Sequence, residues 1–116
     1  MPPGLPCNVP MTHTGPVAHL SQLHWKPGAT ADEIERVGAG LATLPGQLPG
    51  VLYYAFGSDL GLRDDNADYA VIGVFADLDA YHTYSSHPEH VRILREMITP
   101  ILESRSAAQF AVSWPS

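Results

Sequence analysis

The chain has a single cysteine, Cys7, in 116 residues. One thiol permits no internal disulfide and no cysteine-based metal site, and it fits a reducing cytoplasm. Basic residues are also scarce: six Lys and Arg stand against twelve Asp and Glu, for a formal charge of −6. That balance argues against nucleic acid and anionic membrane surfaces as partners. No apolar run approaches the roughly 20 residues that span a bilayer. The first residues lack a basic region followed by an apolar core, so no secretory signal is expected. What remains is a chain of ordinary hydrophobic content, 45%, long enough for one core but not two.

Histidine and tyrosine, by contrast, are concentrated. Three of the six histidines and two of the five tyrosines fall between Ala80 and His90. Imidazole titrates near neutrality and tyrosine carries a fixed hydroxyl, so the stretch has the means for acid–base chemistry. His87-Pro88-Glu89-His90 reads as a helix start, because proline suits the first helical position. Val91, Leu94, Ile98 and Ile101 then form one apolar stripe. His87 falls at the N-cap and His90 in the first turn, where the positive end of the helix dipole favours a neutral ring. A neutral imidazole can accept a proton.

Residues 1–16 hold five prolines and no apolar periodicity, and they read as a flexible arm carrying Cys7 and His13. The domain is expected over 17–114. Val17–Trp25 alternates as a first strand, with Val17, His19, Ser21, Leu23 and Trp25 on one face and Ala18, Leu20, Gln22 and His24 on the other. Thr30 to Glu33 reads as a capping box, followed by the stripe Ile34, Val37, Leu41 and Leu44. Gly38 and Gly40 weaken this helix, and either allow close packing or leave room for something else. Val51–Gly57 is a second strand. The loop 58–67 has Asp59, Asp64 and Asp65, with Asp68 just after it, without the alternating spacing of a calcium loop, so they read as turn formers. Asp68–Ala76 is a third strand with Tyr69, Val71, Gly73 and Phe75 on one face; Gly73 implies a bend or space for a ligand. Asp77 caps a short helix, Leu78–Ser85, that puts Tyr81 and Tyr84 on one side. The long helix is expected from Pro88 to about Arg105, kinked by Pro100. A fourth strand, Ala107–Trp114, ends the domain.

Four strands interleaved with helices in this order make an α+β fold of the ferredoxin-like type: a four-stranded antiparallel sheet with helices on one face. The other face carries Leu20 and its neighbours. An open apolar sheet face predicts a homodimer in which two sheets pack together.

Several stretches carry a resemblance: Val17-Ala18-His19-Leu20, Trp25-Lys26-Pro27-Gly28, Leu44-Pro45, Pro49-Gly50-Val51, Phe56-Gly57-Ser58-Asp59-Leu60, Phe75-Ala76-Asp77 and His87-Pro88-Glu89-His90-Val91. In content and order they resemble the stress-responsive dimeric α/β-barrel (Dabb) family, over nearly the whole domain. The resemblance implies two ferredoxin-like subunits whose sheets close into a barrel. It extends to polyketide cyclases of the olivetolic acid cyclase type, which close a ring in a linear poly-β-keto thioester by aldol condensation. Their essential histidine falls on His90, their essential tyrosine on Tyr84, and a first-strand pocket histidine on His19. The resemblance also has a gap. Those cyclases place an aspartate on the last strand beside the catalytic histidine, whereas the last strand here offers only Gln109 and Ser113. The orienting carboxylate is missing or replaced. Ser21 and Gly73 also stand where those cyclases have larger apolar groups, which implies a substrate of different shape.

The implied chemistry needs a base, for which His90 is the candidate. It needs a donor for a developing enolate or alkoxide, for which Tyr84 is the candidate. His19 would bind a carbonyl. Ser21, Leu23, Trp25, Tyr69, Val71, Gly73 and His87 are candidates for the wall around a small apolar or polyketide-like ligand, and no metal or organic cofactor is required. Three other readings stay open. One is a binding or structural stress protein that uses the same cavity without turnover. Another is a cofactor-free oxygenase of the related barrel class, with Trp25 and the tyrosines stacking on an aromatic substrate. The third is a metal site at His82, His87 and His90, whose spacing of five and three has only Glu89 nearby. His24 and His82 otherwise read as surface or interface residues.

Overall fold

A computed structural model describes residues 15–114. The expected arm thus lies almost wholly outside the described residues, together with Cys7 and His13. The elements run β1 (Val17–Trp25), α1 (Ala31–Ala42), a 3₁₀ turn (Pro45–Gln47), β2 (Val51–Ser58), β3 (Tyr69–Phe75), α2 (Leu78–Ser86), α3 (Pro88–Ile93) and β4 (Leu102–Ala111). The strands form one antiparallel sheet in the order β2-β3-β1-β4. This is the ferredoxin-like arrangement expected from the sequence.

Local chemistry explains the boundaries. The Thr30 hydroxyl accepts from the Glu33 N–H at 3.2 Å, and the Glu33 carboxylate accepts from the Thr30 N–H at 2.8 Å. Both bonds of the capping box are therefore present at the start of α1. Of the loop carboxylates, Asp59 acts as the expected turn former, accepting from the Gly61 N–H and the Asn66 amide. Asp68 instead ties the end of the loop to β1 by accepting from the Trp25 N–H.

The expected long helix is shorter than its periodicity suggests. α3 gives way to a π turn over Leu94–Ile98 and a 3₁₀ turn over Thr99–Ile101, and β4 begins at Leu102. Pro100 has no N–H to continue the helical ladder, so the chain leaves the helix there. Arg105 consequently sits on β4 and not on a helix, which matters for the site.

The core lies between the helices and one sheet face. Val37, Leu44, Phe75 and Ile93 are fully buried in it. Gly40 serves close packing: a Cβ there would lie 3.1 Å from Met97 Sδ and 3.3 Å from Ile93 Cγ1. The register fixes which side chains share the helix-side face. One cross-strand row is Tyr54, Gly73, His19 and Gln109; the next is Phe56, Val71, Ser21 and Ala107; the third is Ser58, Tyr69, Leu23 and Arg105. The opposite face carries the row Tyr53, Val74, Ala18 and Phe110. Its ends, Tyr53 and Phe110, are about half exposed, while Ala18 and Val74 in the middle are buried. The segment after β4 reaches across this face, since the Trp114 ring lies 5.5 Å from that of Tyr53.

Candidate functional site

The site begins with a helix break. α2 ends at Ser86, and His87 is extended (φ −61°, ψ 134°) before Pro88 starts α3. A residue before proline is pushed out of the helical region, so the chain must turn here. The His87 Nδ1 accepts from the Glu89 N–H at 3.1 Å, which makes His87 the N-cap. The turn brings Tyr84, at the end of α2, against His90, at the start of α3, with ring centroids 4.3 Å apart.

The same break leaves a carbonyl unpaired. Ser85 is in the last turn of α2, where carbonyls have no intrahelical donor. His90 Nδ1 lies 3.1 Å from this oxygen. A carbonyl can only accept, so Nδ1 carries the hydrogen and Nε2 keeps its lone pair. Burial lowers the His90 pKa below its usual range. The Ser85 carbonyl opposes that shift, and the Arg105 guanidinium and the neighbouring His87 ring add to it. The neutral ring expected from the helix dipole is therefore produced first by desolvation.

A cavity of about 220 Å³ opens between this corner and the sheet. Its wall includes His19, Ser21, Leu23 and Val71 from the sheet, Tyr81, Tyr84 and Ser85 from α2, His90 from α3, and Arg105 from β4. His19 is held by its register neighbour: the Gln109 amide nitrogen lies 2.8 Å from His19 Nδ1. The amide donates, so His19 carries its own hydrogen on Nε2. Its pKa is lowered by burial first, then by His90 and Arg105. The cavity thus has one imidazole with a free lone pair and a second with a free N–H.

Tyr84 is backed by a residue the sequence reading left out. The hydroxyls of Tyr54 and Tyr84 are 3.0 Å apart. Burial raises both phenol pKa values, so both rings keep their protons at neutral pH. Only alternation along β2 could have placed Tyr54 on this face, and nothing in the sequence paired it with Tyr84.

The structure brings His19, Ser21, Leu23, Val71, Tyr84 and His90 to one cavity. The other candidates lie elsewhere. Tyr69 turns to a separate groove beside α1, with Gly38 and Phe56, and Trp25 packs on Tyr69 with centroids 5.5 Å apart. Gly73 leaves no space for a ligand, because the rings of Phe75 and Tyr54 fill the position its side chain would take. His87 is used as a cap. Gln109 orients His19 and not His90; the orienting role that the resemblance gave to an aspartate on the last strand falls to the Ser85 carbonyl of α2. Arg105 was missed because it read as the end of a helix. Among the described residues, no group of three His, Cys, Asp or Glu is placed to hold a metal ion, and no helix is long and apolar enough to cross a membrane.

Comparison with known proteins agrees with this architecture. The stress responsive A/B barrel domain matches residues 17–112. Among curated proteins none matches. A dimeric ferredoxin-like protein of unknown function from Thermobifida fusca is 36% identical, covering 86% of this chain and 93% of that one, with a TM-score of 0.80. The hydroxynitrile lyase of Passiflora edulis is 18% identical, covering 89% and 100%, with a TM-score of 0.74. SnoaB, a cofactor-independent oxygenase from Streptomyces nogalater, is 18% identical, covering 87% and 96%, with a TM-score of 0.68. The latter two share the fold at identities that carry no activity across. With its domain matched almost end to end, the chain belongs to the stress responsive A/B barrel domain (Dabb) family.

Proposed function

We propose that the cavity binds a small carbonyl compound and catalyses acid–base carbon–carbon chemistry without a cofactor, as in an aldol ring closure of a polyketide-like chain or its lyase counterpart. One observation carries this reading: the Ser85 carbonyl holds His90 in the tautomer whose free nitrogen is basic, beside Tyr84 at the wall of a cavity. In the forward direction His90 Nε2 takes a proton from a carbon between two carbonyls. The enolate attacks a second carbonyl carbon of the same molecule and a carbon–carbon bond forms. The new alkoxide takes a proton from Tyr84, which recovers it from the His90 imidazolium or water, and loss of water completes the ring. No electron is gained or lost overall. His19 Nε2–H is the donor for the carbonyl next to the acidic carbon.

The cavity volume sets the substrate size. At about 220 Å³ it lies below the ~300 Å³ at which drug-sized pockets begin, so a short chain is favoured. We further propose that the working unit is a homodimer joined through the open sheet face, where Tyr53 and Phe110 are exposed. Solved relatives are described as dimeric.

The test is ring closure of a short synthetic 3,5,7-trioxo-acyl thioester, followed by ultraviolet absorbance and mass spectrometry. Loss of a general base costs about 10²–10⁴-fold, so His90→Gln should slow the reaction by that factor and Tyr84→Phe should slow it as well. Equal rates for the wild type and His90→Gln would sink the proposal. No closure above the rate in buffer would leave the cavity as a binding site without turnover.

A further inference from the structure

We propose that the cavity selects ligands with a carboxylate end, and that Arg105 is the residue that selects it. The inference rests on reading the cavity as a small-molecule site, but not on His90 acting as a base.

Arg105 pairs with Leu23 across β1 and β4, which puts it on the helix-side face in line with Ala107 and Gln109. Ala107 is small and sits between the two longer side chains. Arg105 is exposed and lines the cavity, and its side chain has no ion pair or hydrogen bond with any described residue. The arginines of α3 and the turn that follows it behave differently. Arg92 forms a bidentate pair with Glu89 and also reaches Glu96, and Arg95 reaches Glu96. The chain carries twice as many acidic as basic residues, but none of the acids lines this cavity.

The remaining polar groups point to the same ligand chemistry. Ser21 is 7% exposed and lines the cavity, and its hydroxyl has no partner among the described residues. His19 offers an N–H. Tyr84 offers a hydroxyl whose proton is retained. Apart from the hydroxyl oxygens, which can accept as well as donate, the basic nitrogen of His90 is the acceptor that the hydrogen-bond pattern leaves free among the lining side chains. A cavity with a surplus of donors and an unpaired guanidinium fits a ligand rich in acceptors and negatively charged. The planar fork of arginine matches a carboxylate through two parallel N–H···O bonds.

The charge also couples to His90. The ionisable groups facing His90 are His19 from β1, Tyr81 and Tyr84 from α2, His87 at the cap and Arg105 from β4. Arg105 is unfavourable to an imidazolium at His90. A bound carboxylate cancels that repulsion, so binding of the anion and protonation of His90 favour one another, each by the same factor.

The test uses two probes of one shape, benzoate and benzamide, titrated into the full chain while the histidine ring resonances are followed by NMR. A hydrogen bond to a charged group is worth about 1.5–3 kcal/mol, so benzoate should bind roughly 10- to 100-fold more tightly than benzamide. Arg105→Gln should abolish that ratio, Arg105→Lys should keep part of it, and benzoate should raise the pH midpoint of the His90 ring in the wild type but not in Arg105→Gln. Ser21→Leu, which fills the cavity, should weaken both probes. Equal affinity of the wild type for the two probes would overturn the proposal, as would a benzoate preference that survives Arg105→Gln, or failure of both probes to bind. His90→Gln separates the two ideas. It should keep the benzoate preference even though it loses ring closure; a variant that cyclises at the wild-type rate defeats only the acid–base reading.

Discussion

Replacing Gly73 by alanine separates two explanations of one residue. A glycine on the helix-side face of β3 could make space for a ligand or for neighbouring side chains. A Cβ at Gly73 would lie 2.9 Å from Cε2 and from Cζ of Phe75 and 3.2 Å from Cδ1 of Tyr54. Ordinary carbon contacts begin near 3.5 Å, so the methyl group intrudes by about half an ångström on a ring that is fully buried. Phe75 also stacks against Tyr84, with centroids 4.9 Å apart, and has little room to retreat. Overpacking of this kind costs about 1–3 kcal/mol. The lower chain entropy of alanine in the unfolded state returns about 0.4–1 kcal/mol. The net loss is therefore on the order of 1–2 kcal/mol, or roughly 5–15 °C in Tm for a domain of this size. Gly57→Ala is the control, since nothing lies within 4 Å of a Cβ there. Thermal and urea unfolding of both variants would measure the difference. If Gly73→Ala melts with the wild type but loses affinity for benzoate, the space belongs to a ligand and the packing argument is wrong.

Two further outcomes follow from the same geometry. Stability should fall as the pH drops below 6.5, the ordinary histidine value from which His19 and His90 are lowered. Unfolded rings take up protons there that the folded rings refuse, so the unfolding free energy rises with pH from the folded pKa values up to 6.5. His90 alone can contribute a slope of at most about 1.4 kcal/mol per pH unit. His90→Gln should flatten the curve of urea midpoints between pH 5 and 8, and an unchanged slope would refute a neutral buried ring. Light scattering should give twice the chain mass of 12.5 kDa, and Ile72→Lys on the open sheet face should shift the protein toward the monomer; a wild-type monomer at micromolar concentration would refute pairing of the sheets.

Whatever depends on short-range pattern could be read from the sequence. The alternation of Val17–Trp25, the capping box at Thr30 and the His87–Pro88 helix start each involve residues within a few positions of one another, and each appears as expected. His19, Tyr84 and His90 were also legible as a set, because the resemblance supplied the long-range relation that periodicity cannot. The end of the last helix was not legible. Leu94, Ile98 and Ile101 keep helical spacing, and the spacing is equally satisfied by the tighter and looser turns the chain adopts before Leu102. Misplacing that boundary hid Arg105. Tyr54 was hidden for a different reason: its meaning comes from Gly73 and Tyr84, which reach it only through sheet register and helix packing. The opposite error was made with Tyr69, Trp25 and Gly73. Each shares strand parity with the cavity residues, but parity selects a face and not a position along it.

The replaced carboxylate has consequences for the chemistry. A carboxylate beside an imidazole both orients the ring and supplies negative charge that steadies the imidazolium. At His90 these two tasks are divided. The Ser85 carbonyl orients the ring, but it is neutral, and the charge nearby is the positive Arg105. Burial first, with Arg105 adding to it, holds the ring neutral and available to accept a proton, while its protonated form lacks a protein counter-charge. A proton taken from a neutral ligand would leave an imidazolium facing a guanidinium, opposed only by the new enolate. A ligand that arrives with its own carboxylate removes that cost before the proton moves. The base and the anion site are then two parts of one electrostatic design, with the ligand supplying the negative charge the chain omits. On this argument Arg105→Gln should raise the pH midpoint of His90 in the free protein and also abolish the further rise caused by benzoate. An Arg105→Gln protein whose His90 midpoint stays at the wild-type value would show that the two groups are not coupled.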